Sequence, residues 1–420
     1  MTIQLLTGDC RDVLATLPEC SVHTVVTSPP YYGLRDYGTA QWEGGADDCE
    51  HIAPATGPTQ NKGNNGRNGQ PYRDVCGKCG VRRIDRQLGL EATPKAYLAA
   101  MVEVFRAVRR VMRPDATLWL NVGDAYTDKQ LQMMPARLAL ALQADGWWIR
   151  SDIIWHKPNP MPESCTDRPT SAHEHVFLLS KRARYFYDAD AVREEQSDGT
   201  IERFGKNPAR SLGGPKLAVP GIGVKNNSSM NEAIRSGIVE GGRNLRNVWT
   251  IPTHAYSDAH FATFPPALVE RCIRAGTSER GCCSACGAPW VRVTERTGEV
   301  DQSAKGSYFD RGKTGARDGG DRTQAGERFV KQATGWRASC QCNAEVVPCT
   351  VLDPFVGSGT TALVADRLQR HAIGIDLSID YAAMAQRRLE ADCPLFTSWA
   401  PAETDAEDER MRDLFSVAAD

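Results

Sequence analysis

The chain has 420 residues, 50 Lys+Arg against 52 Asp+Glu, 8 His, and is 41% hydrophobic and 24% charged, the balance of a globular chain with ample apolar material for a core. It has no apolar run long enough to span a bilayer and no basic, apolar, small-residue leader over its first dozen residues. A membrane span and a secretory signal are therefore not expected, collagen-like, coiled-coil and wholly disordered classes fall away, and a cytoplasmic location is expected.

In chain order, Ile3–Leu6 reads as a strand, Arg11–Leu17 as a short helix and Val22–Thr27 as an apolar strand. From Asp47 to Gly89 the composition shifts to Gly, Asn, Arg and Cys and reads as irregular. Thr93-Pro94 supplies an N-cap and a first-turn proline, and Tyr97, Met101, Val104, Phe105, Val108 and Val111 keep helical spacing. Thr117–Val122 is a strand, Met134–Asp145 a helix stopped by Gly146, and Trp148–Trp155 a strand. Glu174–Leu179 and Tyr185–Tyr187 suggest a hairpin. Residues 201–250 carry eight bases and three acids, a stretch able to bind a polyanion. Pro265–Ala275 is helical. The chain closes as strand (Thr350–Leu352), glycine turn, helix (Thr360–Arg370), strand (Ala372–Ile375) and helix (Ile379–Glu390), followed by a tail in which residues 390–420 hold nine acids and two bases. Strands alternating with helices predict a doubly wound, mostly parallel sheet.

The turn Val351-Leu-Asp-Pro-Phe-Val-Gly-Ser-Gly-Thr-Thr361 leaves a strand and opens a helix. Its glycines let the backbone approach a ligand, and Asp353 falls at the strand's carboxyl end, where such sheets bind ligands. Asp376 ends the next strand, 19 residues after Gly357, about the spacing at which an acid reaches ribose hydroxyls. No Lys follows the second glycine, as a triphosphate loop would need, and the third glycine of a dinucleotide fingerprint is missing. A ribose-bearing cofactor without pyrophosphate is favoured over a ligand-free turn.

Val25-Val-Thr-Ser-Pro-Pro-Tyr-Tyr-Gly33 runs from an apolar strand into two prolines, which fix the backbone and leave carbonyls free to accept. A hydroxyl (Ser28) and aromatic faces (Tyr31, Tyr32) stand beside them, a pocket suited to a planar group with an exocyclic amine. Thr27-Ser-Pro-Pro-Tyr31 resembles the catalytic motif of the amino-methylating DNA methyltransferases, above all the cytosine-N4 branch, and Asp353-Pro-Phe-x-Gly-x-Gly359 resembles their S-adenosylmethionine motif. The catalytic motif comes first, as in the circularly permuted beta group. Gly8-Asp9, the stretch Trp155–Lys181, and His260-Phe-Ala-Thr-Phe-Pro265 fit as well.

The resemblance implies a permuted S-adenosylmethionine-dependent methyltransferase fold. It implies that Ser28 and the Pro29 carbonyl hold the target amine in the loop stiffened by Pro30, and that Tyr31 stacks on the base. Asp353, Phe355, Gly357, Ser358, Gly359 and Thr360 would line the cofactor, Asp376 would hold its ribose, Asp9 would lie near its adenine, and Phe264-Pro265 would close over its methionine end. Lys157 and Arg168 would reach DNA phosphate. The expected activity is transfer of a methyl group to cytosine N4 in double-stranded DNA by direct attack of a flipped base. Adenine N6 is the alternative target, and an inert zinc-stabilised DNA-binding module the alternative of another class. The setting would be restriction-modification. Whether a cognate restriction endonuclease accompanies the chain, and whether it is a monomer or homodimer, stay open.

Fourteen cysteines are many for a chain expected in the cytoplasm. Cys49-x-His51 with Cys76-x2-Cys79, and Cys283-x2-Cys286 with Cys340-x-Cys342, have paired-knuckle spacing suited to structural zinc. Cys282 is spare, and Cys10, Cys20, Cys165, Cys272, Cys349 and Cys393 read as small buried hydrophobes. The expected organisation is core over 1–43, a zinc insertion over 44–90, core over 91–189, a basic candidate recognition segment over 190–247, core over 248–276, an all-cysteine zinc insertion over 277–345, the cofactor part of the core over 346–392, and an acidic tail over 393–420.

Overall fold

A computed structural model describes residues 1–33, 41–43, 49, 76, 79–195, 243–254, 264–300, 327–392 and 398–399. His51, most of the basic segment 190–247 and nearly all of the acidic tail lie outside the described residues.

The elements follow the apolar periodicity. Strand β1 (Thr2–Thr7) leads to helix α1 (Cys10–Thr16) and strand β2 (Val22–Thr27), which is buried along its whole length. Helix α2 (Pro94–Val111) starts where Thr93 Oγ1 accepts the Ala96 N–H at 3.2 Å, with Pro94 in its first turn. It buries the six apolar residues of its expected face. Strand β3 (Met112–Val122), helix α3 (Met134–Ala144), strand β4 (Trp148–His156) and strand β5 (His173–Ser180) follow. After the basic segment come strand β6 (Val248–Thr250), helix α4 (Pro266–Gly276) and a long antiparallel hairpin, β7 (Val291–Val300) with β8 (Glu327–Arg337). The chain returns through β9 (Thr350–Asp353), α5 (Thr360–Arg367), β10 (His371–Asp376), α6 (Ile379–Asp392) and β11 (Ser398–Trp399).

Among the described residues the main sheet has nine strands in the order β6-β4-β5-β3-β2-β9-β10-β1-β11, and only β5 runs antiparallel to its neighbours. Helices α1, α2 and α3 pack on one face around Phe105, Leu118 and Leu120, while α4, α5 and α6 pack on the other around Trp119, Trp249 and Ile273. Successive residues of β3 thus feed opposite cores, as period-2 geometry requires.

Two expectations fail. Glu174–Leu179 does not pair with Tyr185–Tyr187; β5 inserts between β3 and β4 and is antiparallel to both. Tyr185 and Tyr187 pack against the second core instead. Cys20 is exposed at positive φ and Cys165 is half-buried, so neither is a core thiol; Cys10, Cys272 and Cys349 are buried, and Cys393 lies outside the described residues.

Candidate active site

The sheet brings the two motifs together. β2 and β9 are parallel neighbours, with Thr24 opposite Val351 and Val25 opposite Leu352, so the Ser28 loop and the glycine turn leave the same sheet edge. Thr27 Oγ1 donates to Asp353 Oδ1 at 2.6 Å, Thr361 Oγ1 to Asp353 Oδ2 at 2.7 Å, and the Phe355 N–H to Oδ1 at 3.0 Å. Asp353 is fully buried, and burial pushes its pKa up to about 6 against these three donors. Its carboxylate ties the two motifs to each other.

Gly357 (φ +50°) and Gly359 (φ +81°) both adopt the left-handed region. A Cβ on Gly359 would meet Ala385 Cβ at 2.9 Å, whereas one on Gly357 would meet only the Phe355 carbonyl, at 4.0 Å. The turn is therefore packed on the α6 side and open at Gly357. Ser358 and Thr360 are held by buried Arg388 of α6, whose Nη1 donates to Ser358 O and Oγ at 3.0 Å and to Thr360 Oγ1 at 2.9 Å. Helical spacing gave no signal for this arginine.

Asp376 Oδ2 accepts the Gly357 N–H and Oδ1 the Ser378 N–H, each at 2.9 Å. Burial raises its pKa, and these backbone donors oppose the shift. Each oxygen keeps a lone pair for a further donor, which fits a ribose hydroxyl pair. Thr7 is in register with Asp376, so Gly8-Asp9 lies beside it. Asp9 caps α1 through the Arg11 N–H at 2.9 Å and pairs with the Arg11 guanidinium at 2.6 Å. Burial would raise its pKa, but the hydrogen bonds and charge of Arg11 outweigh burial and hold it low. Phe264 packs against the second core, and Pro265 is the N-cap position of α4.

The Ser28 loop is braced from outside the motif. Tyr97 Oη donates to the Pro30 carbonyl at 2.9 Å, and the Gly33 N–H to Gly89 O at 2.8 Å. Among the described residues no hydrogen bond reaches the Pro29 carbonyl. Tyr31 lies against Gly123, and its hydroxyl joins Ser28, Asn121 and Glu174. Lys157 pairs with Glu174, and Arg168 pairs with Glu163 at 2.6 Å while covering the Tyr126 ring. Each cation thus pairs with a carboxylate of the protein itself and stays partly exposed. Arg243 and Arg246 likewise share Glu194, at 3.0 and 2.9 Å.

The thiol sulfurs of Cys283, Cys286, Cys340 and Cys342 lie within 4.8 Å of one another, as do those of Cys49, Cys76 and Cys79. Cys49 and Cys76 Sγ are 3.8 Å apart, about the edge of a tetrahedron with 2.3 Å Zn–S bonds. Each Cys-x2-Cys is followed by a glycine at positive φ, Gly80 and Gly287, whose N–H returns to the first Cys carbonyl at 2.9 and 2.7 Å. The donor sets fit zinc. His23, Cys282 and Cys349 form a third group, but both His23 nitrogens are taken by backbone: Nδ1 accepts from Thr350 N at 3.0 Å and Nε2 donates to Gly287 O at 2.9 Å. His23 is therefore an anchor, joined by Arg113 Nη1 on the Cys286 carbonyl at 2.6 Å.

The DNA methylase family of N6 and N4 methyltransferases matches residues 22–283 and 349–387. Type II methyltransferase M.XycI of Xanthomonas campestris pv. cyanopsidis is 30% identical over 415 residues, 92% of this chain and 87% of that one. M.Cfr9I of Citrobacter freundii is 29% identical over 417 residues, 92% and 88% of the two chains. Among solved structures, the PvuII DNA methyltransferase (cytosine-N4-specific) is 15% identical, covering 99% of this chain and 92% of that one with a TM-score of 0.49. With both motifs on one sheet edge and the family matched across most of the core, the chain belongs to the DNA methylase family of amino-methylating N6 and N4 methyltransferases.

Proposed function

We propose that this DNA methyltransferase transfers the methyl group of S-adenosylmethionine to the N4 amine of cytosine in double-stranded DNA. The observation that carries the choice of base is Ser28 at the carboxyl end of β2, joined through Thr27 and Asp353 to the cofactor turn. When bound, S-adenosylmethionine supplies a sulfonium methyl, a strong electrophile. The chain's own residues must then position the amine in line with it and strip away water. Ser28 accepts from an amine hydrogen and can rotate to donate to the adjoining ring nitrogen, whereas the Asp frequent in the adenine enzymes only accepts. The Pro29 carbonyl offers the second acceptor. Taking the base out of the duplex costs a few kcal/mol, and stacking on Tyr31, roughly 1–3 kcal/mol, offsets part of it.

On the cofactor side, Asp376 would take the ribose hydroxyls, the open Gly357 side of the turn the rest of the nucleoside, Gly8-Asp9 the adenine edge, and Phe264-Pro265 the methionine end. The two cysteine clusters would each hold a structural zinc, with His51 completing the first. Segment 190–247 would read the DNA sequence. The relatives' Type II names support a restriction-modification setting with a cognate endonuclease. Among the described residues no helix is long and apolar enough to cross a membrane. Mass spectrometry of nucleosides from DNA methylated by the chain tests the reading. N4-methylcytosine is expected; N6-methyladenine alone would move the target to adenine.

A further inference from the structure

Behind Ser28 lies a cluster drawn from three distant stretches of chain. Tyr31 Oη donates to Glu174 Oε2 at 2.7 Å and stands 3.2 Å from Ser28 Oγ. Asn121 Nδ2 donates to Glu174 Oε2 at 2.8 Å, to Tyr31 Oη at 2.9 Å and more weakly to Ser28 Oγ at 3.3 Å. Lys157 makes a close ion pair with the other carboxylate oxygen of Glu174.

The carboxylate fixes the Tyr31 and Asn121 protons of this cluster, while the Ser28 hydroxyl stays free to rotate. A carboxylate only accepts, so the Tyr31 proton points to it and the Asn121 amide must turn its NH2 the same way. That orientation leaves Asn121 Oδ1 buried with no partner among the described residues, an arrangement a purely structural asparagine would avoid. Rotated away from the ring nitrogen as the methyl is transferred, the Ser28 proton lies toward Tyr31 Oη and leaves an Oγ lone pair for the amine proton. Burial, with the Glu174 charge adding to it, raises the Tyr31 pKa well above its ordinary value. Tyr31 therefore stays neutral and hands a proton on rather than losing one outright.

We propose that Ser28, Tyr31 and Glu174 form a proton exit route from the methylated amine, ending on Glu174, with Asn121 and Lys157 as positioning residues. The inference rests on the reading of Ser28 as the amine's partner. The amine nitrogen bonds the methyl carbon as the carbon–sulfur bond breaks with its electron pair on sulfur, and the nitrogen becomes cationic. Neutral Ser28 cannot keep the excess proton. The amine proton moves to Ser28 Oγ, the Ser28 proton to Tyr31 Oη and the Tyr31 proton to Glu174 Oε2, which leaves a neutral carboxyl beside Lys157. Glu174 has 16% of its side chain exposed, so the proton can pass on to water.

The test is Glu174→Gln and Tyr31→Phe in the full chain under single-turnover conditions. Each is expected to slow methyl transfer on the order of 10²-fold, with S-adenosylmethionine and duplex affinities unchanged. The double variant should be no slower than the slower single one, because both cut one route. An infrared difference spectrum across one turnover should show a protonated carboxyl in the wild type that Glu174→Gln lacks. A Glu174→Gln rate near that of the wild type, or a slowing matched by lost binding, would overturn the route. The route serves either amine, so nucleoside analysis of the wild-type product tests the target base separately.

Discussion

Thr27 Oγ1 donates to Asp353 Oδ1 at 2.6 Å, joining residues 326 positions apart. One is the last residue of the strand that delivers Ser28, the other the last residue of the strand that delivers the glycine turn. Amine and methyl donor must meet in line, and a small shift between their supports is costly in rate. This bond, with Thr361 on the other carboxylate oxygen, adds a side-chain tie at the strand ends to the backbone pairing of β2 and β9.

A buried carboxylate used in this way has a pH signature. Burial raises the folded-state pKa of Asp353 from 3.8 to about 6. Below the unfolded value both states are protonated; between the two values the unfolded chain ionises first, so stability falls as pH rises and the loss is complete above the folded value. Asp353→Asn removes that slope. Its thermal stability should improve relative to the wild type, by on the order of 2–3 kcal/mol, between pH 4 and pH 7. Parallel melting curves across this range check it, and a constant difference would count against the shift.

The main-chain course to this site was legible because local signals agreed. Thr93-Pro94 with an apolar residue every third or fourth position defined α2, and the uninterrupted apolar run of β2 marked a central parallel strand. Partners across the sheet were not legible. β5 reads as half of a local hairpin, yet its neighbours are set by long-range pairing, which puts Glu174 beside Asn121 and Tyr31. Arg388 carries no signal in the sequence, yet it is buried on the glycine turn. Lys157, which reads as a phosphate contact, is engaged by Glu174. In each case the chemistry depends on a partner that period and composition do not specify.

Asp376 has two duties, one toward the turn and one toward the cofactor. Asp376→Ala should weaken S-adenosylmethionine binding by about 1.5–3 kcal/mol, the worth of hydrogen bonds to a charged acceptor. It also frees the Gly357 and Ser378 N–H groups, so Asp376→Asn, which can still accept through its amide oxygen, should lose less. Calorimetric titration of both variants checks the order; equal affinity for wild type and Asp376→Ala would remove Asp376 from the pocket.

The two knuckles should behave as independent metal sites. Protein prepared without chelator should carry about two zinc ions per chain, and Cys79→Ser or Cys286→Ser should each lose about one. Loss at Cys286 should also lower thermal stability, because Arg113 and His23 hold that knuckle to β2, β3 and β9 through its carbonyls. Elemental analysis paired with melting curves measures both. Less than half an equivalent of zinc in the wild type would dismiss the sites.

Gly123 offers a way to move Tyr31 without changing it. Its φ is not in the left-handed region, so the backbone tolerates alanine. The obstacle is space: an added Cβ would lie 2.5 Å from Tyr31 Cε2, 3.0 Å from Cδ2 and 3.3 Å from Cζ. The ring must swing away, and its hydroxyl cannot then hold 2.7 Å to Glu174 and 3.2 Å to Ser28 together. Asp376 and the glycine turn lie on other strands and are not displaced. Gly123→Ala should therefore keep its S-adenosylmethionine affinity, cost about 1–3 kcal/mol of stability at most from overpacking, and slow methyl transfer as far as Tyr31→Phe does. Combining it with Tyr31→Phe should add little, because both disconnect the same hydroxyl. Calorimetry with single-turnover kinetics decides the matter: a Gly123→Ala enzyme as fast as the wild type would mean that the Tyr31 position seen here is not the one in which transfer occurs.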